Sequence, residues 1–329
     1  MSQSQSIFCS ASQELMARLF GRFTLRCREQ AVEELITGKA KELFCYLLIH
    51  RSHPIPREEL AEVLWSECAK EHSLKYLRKV LWQLQRAVSP LSKNAEHLLH
   101  VDQHSIGLNT QASIWIDVAK FEQAFAGICE SLQNGAPTIE QLRSAVELYQ
   151  GDLLEGWYQD WCLCERERLQ NVYFVILDRL MEQLDLQGDY EQGLQFGARV
   201  LQIDRAHEDT YRHLMRLRYM IGDRAGAIRE YEHCRAALKE ELGVVPSRQT
   251  RELYEQIRTD QRPANCESRT VAISSKVGLF ISQPPPGDLR ELRSALMRLE
   301  AAVQQTLRAV GMLLGRSPIP RRSSDKTAS

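Results

Sequence analysis

Lys75, Arg78, Lys79, Trp82 and Arg86 fall together on one side of a helical repeat, with Gln83 and Gln85 at its margins. On the other side Leu74, Leu77, Leu81, Leu84 and Val88 recur three and four apart, the spacing of an amphipathic helix. Ammonium and guanidinium groups in such a row pair with phosphate oxygens or with O6 and N7 of guanine, and glutamine can make two bonds to adenine. A single helix fits the major groove of duplex DNA, which is about 12 Å wide. Lys39 and Lys41 open an earlier helix, where backbone N–H groups and positive side chains can hold a phosphate; a plain helix start reads equally well. His104, with His100 behind it, lies in a turn between two short apolar runs, placed to reach a flanking minor groove or phosphate.

Other constellations offer less chemistry. Cys162 and Cys164 are spaced C-x-C, but a zinc site needs two more ligands at suitable spacing and none is present, so thiols on a helix are expected. Asp160-Trp161 with Glu165 and Glu167 imitates a carboxylate site and reads as helical surface charge. The sequence has no glycine-rich phosphate loop ending in Lys-Ser/Thr, no H-E-x-x-H and no G-x-S-x-G, so no enzyme, metal or cofactor is expected. The nine cysteines are an odd number and scattered, which argues for a reducing cytoplasm over a disulfide framework. No run approaches the roughly 18 apolar residues of a membrane span. With a net charge of −1, any nucleic-acid binding has to come from a local basic surface.

The elements that position these residues fall into segments. Residues 1–15, rich in Ser and Gln, read as a disordered lead-in. Residues 16–112 begin with a strand pattern at Leu19, Phe23 and Leu25. A helix from Lys39 to His50 follows, with Leu43, Phe44, Leu47 and Leu48 on one face. His53-Pro54-Ile55-Pro56 breaks it, because proline cannot continue a helix and restricts its predecessor. A short helix carries Leu60, Val63 and Leu64, and the basic helix spans Glu71 to Val88. Leu98–Val101 and Ser105–Leu108 flank Asp102-Gln103-His104 as a β-hairpin. Strands, three helices and a closing hairpin make a winged helix.

Residues 113–261 are almost all helix, with expected helices near Val118–Leu132, Ile139–Tyr149 and Cys164–Leu186. Leu186-Gln187-Gly188-Asp189 is followed by Gly193-Leu194, and 34 residues later Ile221-Gly222-Asp223 is followed by Ala227-Ile228. That period, with a Gly-Asp turn and a small residue in the next helix, is the tetratricopeptide signature, and such helices stack into a curved array. Residues 262–287 read as linker. In 288–315, Leu289, Leu292, Leu296, Leu299, Val303, Val310 and Leu313 keep a heptad pattern broken at Thr306. It suits a coiled-coil seam, a helix docked on its own chain or, less well, a membrane-surface helix. Residues 316–329 read as a disordered tail. The fold class is mainly α: a winged helix, a TPR-like domain and a C-terminal heptad helix.

The residues resemble a known family. The first domain is similar to an OmpR-type winged helix, and Asp117 to Asp260 resembles the bacterial transcriptional activation domain (BTAD) of SARP-class activators. The carrying stretches are Val63-Leu64-Trp65, Leu77 to Val88, Ile116-Asp117-Val118 with Phe121, and Leu148-Tyr149-Gln150-Gly151-Asp152-Leu153-Leu154-Glu155-Gly156. Asp160-Trp161 with Glu165-Arg166-Glu167-Arg168-Leu169, and Glu240-Glu241-Leu242-Gly243-Val244-Val245-Pro246-Ser247, complete them. The resemblance implies a promoter-binding activator that binds direct repeats of double-stranded DNA as a head-to-tail homodimer and recruits RNA polymerase. By position, Arg78, Lys79, Gln83 and Arg86 become the foremost DNA contacts.

The sequence departs from that family at Gln83 and Gln85, where arginine is frequent, and in its wing, which reads His104-Ser105-Ile106-Gly107-Leu108 in place of a Gly-Tyr-Arg-Leu type run. The ATPase module of larger members is replaced by a short linker and the heptad helix, and no phospho-receiver precedes the winged helix. Nucleotide-driven control and receiver phosphorylation are therefore not expected. The departures motivate a competing reading: a protein-interaction scaffold, or a regulatory enzyme subunit, without DNA binding.

Overall fold

The computed structural model describes residues 15–28, 30–91, 98–109, 112, 114–134 and 137–260. The linker, the heptad helix and the tail lie outside the described residues, as does the lead-in up to 14. The described residues belong to one unit.

The chain opens with β1 (Leu15–Arg18), β2 (Thr24–Cys27) and β3 (Gln30–Ala31), followed by α1 (Gly38–Ile49). The single strand expected through Leu19, Phe23 and Leu25 is instead an antiparallel pair, β1 with β2. Gly21 has φ +78°, a conformation glycine adopts without a Cβ penalty, and this lets the chain reverse there. Leu19, just past β1, and Leu25, within β2, are both fully buried, so the apolar signal was real but spanned the reversal between two strands.

Next come β4 (Ile55–Pro56), α2 (Arg57–Leu64) and α3 (Lys70–Val88), then β5 (Leu99–Val101) and β6 (Ser105–Leu108). Pro56 stands just before the first residue of α2, and the hairpin β5–β6 pairs with β4 in the order β4-β6-β5. The expected one-sided α1 is buried nearly all round, from Ala40 through Ile49 except Lys41. The reason lies later in the chain, where Trp161 packs edge-on against Tyr46 and donates from Nε1 to Glu42 at 3.4 Å.

Strand β7 (Ile114–Ile116) runs parallel to β1 and completes a sheet of order β3-β2-β1-β7. From there the chain is helical: α4 (Asp117–Asn134), α5 (Ile139–Leu148), α6 (Asp160–Gln187), α7 (Tyr190–Ile203), α8 (Glu208–Ile221), α9 (Arg224–Leu242) and α10 (Arg248–Arg258). Both Gly-Asp turns repeat in geometry. Gly188 and Gly222 take left-handed φ of +77° and +91°, while Asp189 and Asp223 cap α7 and α9 by accepting from the N–H groups of Gln192 and Gly226. At Gly193 an added Cβ would stand 2.8 Å from Leu217 Cδ1, so α7 and α8 approach as closely as the small residue suggested. One hydrophobic core runs from Leu15 to Val200, shared by the sheet, α1 to α3 and the first four helices of the helical region. Among the described residues no helix is long and apolar enough to cross a membrane.

Candidate nucleic-acid interface

Helix α3 carries five basic side chains against one carboxylate, Glu71, in its first turn. Its buried side is Leu77, Val80, Leu81, Leu84 and Val88, joined by Ser73, while Leu74 is half-buried. Lys75, Arg78, Lys79, Trp82, Gln83, Gln85 and Arg86 are all exposed. Lys75, Arg78, Lys79 and Arg86 have no carboxylate partner among the described residues, whereas Lys70 at the helix start is paired with Glu58 at 2.8 Å. The Arg86 guanidinium lies over the Trp82 indole, 5.5 Å from the ring centroid. At 3.6 residues per turn, Lys75, Trp82 and Arg86 fall within about 40° of each other around the helix, with Lys79 beside them and Gln83 further round. The outcome is a solvent-facing cationic stripe with one large aromatic ring at its middle.

The wing is a tight turn organised by Asp102. Its carboxylate accepts from the N–H groups of His104 and Ser105 and from the Ser105 hydroxyl, each at 2.7 Å. The hydroxyl bond from Ser105 is foremost in holding this carboxyl down at about 2. His100 Nε2 stands 3.8 Å from the same group. Arg57, opening α2, donates to the Asp102 carbonyl at 2.7 and 3.1 Å, and its own N–H donates to the His104 carbonyl at 2.8 Å. The hairpin is thereby fastened to the start of α2. Gly107 allows this, since a Cβ there would stand 3.0 Å from Pro54 Cα. His104 is exposed at the tip, where its neighbours Asp102 and Gln103 carry no positive charge.

Lys39 and Lys41 are engaged within the protein. Lys39 donates to the Leu64 carbonyl at the end of α2 at 2.7 Å, pairs with Glu42 at 2.9 Å and lies 5.7 Å from the Trp65 ring centroid. Lys41 lies over Phe23 at 5.8 Å. Both therefore help join α1 to its neighbours.

Sequence reasoning missed the joint behind this face. Asp117, the first residue of α4, is buried and accepts from the N–H groups of Leu19 and Phe20 at 2.9 Å and of Val118 at 2.8 Å. Burial pushes its carboxyl up to about 6, against the lowering pull of those donors. Arg166 donates to the carbonyls of Leu153, Leu154 and Trp157 at 2.9 to 3.0 Å, holding a turn in which Leu154 takes φ +49°. That turn returns to the sheet: Gly21 donates to the Asp152 carbonyl, and Leu154 and Glu155 donate to Leu19 and Gly21, all at 2.8 Å. Nearby, Glu122 of α4 receives Arg51 at 2.6 Å and Arg168 at 2.5 Å, and Arg168 pairs with the buried Glu165 at 2.8 Å. The Asp160 to Arg168 stretch is thus a structural joint. Its only sequence signal was the clustering of acidic, aromatic and arginine residues at close spacing.

Cys162 is buried and Cys164 exposed, so the C-x-C pair points in two directions along α6. Among the described residues no three His, Cys, Asp or Glu side chains gather to hold a metal ion.

Residues 116–258 match the bacterial transcriptional activator domain. The structure is similar to that of Mycobacterium tuberculosis EmbR in complex with a low-affinity phosphopeptide, with a TM-score of 0.62 at 17% identity, covering 84% of this chain and 73% of that one. At that identity the likeness is one of fold. No curated protein matches the sequence.

Proposed function

We propose that this chain is a SARP-type bacterial transcriptional activator that binds promoter direct repeats through α3 and contacts RNA polymerase, a reading that its matched domain and its fold support. The observation that carries the reading is the exposed stripe of Lys75, Arg78, Lys79 and Arg86, uncompensated by carboxylates, in the unit that also carries the β5–β6 hairpin. Phosphate contacts fix register and base-edge contacts give sequence. Lys75 and Lys79 suit the first role, while Arg78, Gln83 and Arg86 suit the second. Two copies bound head to tail would occupy two repeats of the same orientation. His104 adds a backbone contact from the wing.

Genome-wide occupancy of the tagged protein tests this, beside a variant carrying Arg78→Ala and Arg86→Ala. Discrete promoter peaks that vanish in the variant are expected. A folded, expressed wild type without peaks under several growth conditions would overturn the reading. That result would favour the scaffold, for which the acidic Asp102 at the exposed wing tip is the specific motive.

A further inference from the structure

Trp82 is 59% exposed, and of the five tryptophans it alone lies in the open; Trp115 is buried and the other three are half-buried. An indole left in water forgoes the burial free energy of a large apolar surface, roughly 25 cal/mol for each Å². The Arg86 guanidinium lies over the ring, 5.5 Å from its centroid, and most of the residue remains open to solvent. Its position is central, since it shares the outward midline of α3 with Lys75 and Arg86, the stripe proposed to meet the groove. The surrounding charges are positive, so a polyanion completes the face better than an apolar protein surface would. On the floor of the major groove the apolar group within reach is the C5 methyl of thymine.

Resting on the DNA-binding reading above, we infer that Trp82 is a specificity-determining residue that packs its indole against a thymine methyl in each half-site. Arg86 lies over the ring and limits its movement, so the indole is held in place while the guanidinium keeps its charge beside it. Gln83, exposed one residue on, is placed to pair with adenine at a neighbouring position. The face therefore reads A·T pairs at its centre, where an arginine would read guanine.

The test begins with selection of duplexes from a random library by the full chain. Each thymine of the selected half-site is then replaced singly by deoxyuridine, which lacks only the methyl. One position per half-site is expected to lose about three- to fivefold in affinity, the value of one buried methyl. Trp82→Ala is expected to bind more weakly and to be indifferent to deoxyuridine at that position. Trp82→Phe should recover part of the sensitivity. Equal losses in wild type and Trp82→Ala, or no sensitive position in the wild type, would overturn the assignment while leaving DNA binding intact. Failure to enrich any duplex would remove the DNA-binding reading itself, and this inference with it.

Discussion

Asp117 accepts the backbone N–H of Leu19 at 2.9 Å across 98 positions of sequence, so the first residue of α4 holds the turn after β1. Its two oxygens also take the N–H groups of Phe20 and Val118, all in a buried setting. Replacement by alanine would orphan these donors, at a cost of about 1–3 kcal/mol for a buried unsatisfied group. Asp117→Ala is expected to lose about 3 kcal/mol in urea unfolding. A loss below 1 kcal/mol would show that water replaces the carboxylate there.

The same residue gives stability a pH dependence. Its folded pKa, about 6, lies above the ordinary 3.8, so the folded state holds this proton more tightly than the unfolded one. Stability from this group is greatest below the unfolded value and falls as pH rises towards 6, by about 3 kcal/mol in all. The Asp117→Asn variant lacks that proton. The wild type's stability relative to Asn should fall between pH 4 and pH 6.5, and urea midpoints for both across that window check it. A constant difference would mean the carboxyl titrates near its ordinary range.

At the joint between α1, α4 and α6, Arg168→Met would leave Glu122 to Arg51 alone and Glu165 without its partner. Removing one member of a fully buried pair costs about 3–5 kcal/mol, but Arg168 is partly solvated, so about 1–2 kcal/mol is expected. Because Arg51 follows α1, the variant should also loosen α1. Faster amide exchange in α1 with α10 unchanged is the signature to seek.

Gly107→Val sets a side chain against Pro54, whose backbone cannot retreat as a flexible side-chain tip would. Overpacking of this kind costs about 1–3 kcal/mol. If the wing touches DNA, this variant should bind operator less well while keeping its slope of affinity against salt. Arg78→Ala should likewise weaken binding with the log–log slope unchanged, because a base-edge contact is lost; a slope smaller by about 0.9 would place Arg78 on a phosphate instead.

Much of this architecture was legible because periodicity is local. The face of α3, the hairpin at Asp102 and the 34-residue repeat each show in a short window, and each was found where expected. The split of the first strand was not, because Leu19 and Leu25 are buried alike and only the φ of Gly21 separates them. Nor was the near-complete burial of α1, which depends on Trp161, more than a hundred positions away. Lys39 was legible as a cation at a helix start. Its engagement with Glu42 and the end of α2 is a tertiary fact that no spacing announces. Trp82 and Gln83 were legible on the outward side of α3, but the full or partial burial of the other four tryptophans, which sets Trp82 apart, was not.

The parallel strand β7 has a consequence for how chains of this fold can be recombined. A chimaera cut at 112, where the winged-helix pattern ends, would separate β1 from its parallel neighbour and Leu19 from the carboxylate that holds its turn. A donor segment that ends beyond Gly156 carries both, together with the returning turn at Leu153 and Leu154. Domain swaps among chains of this fold should therefore succeed when the crossover lies inside the helical region, and exchange of residues 16–112 alone should yield insoluble products.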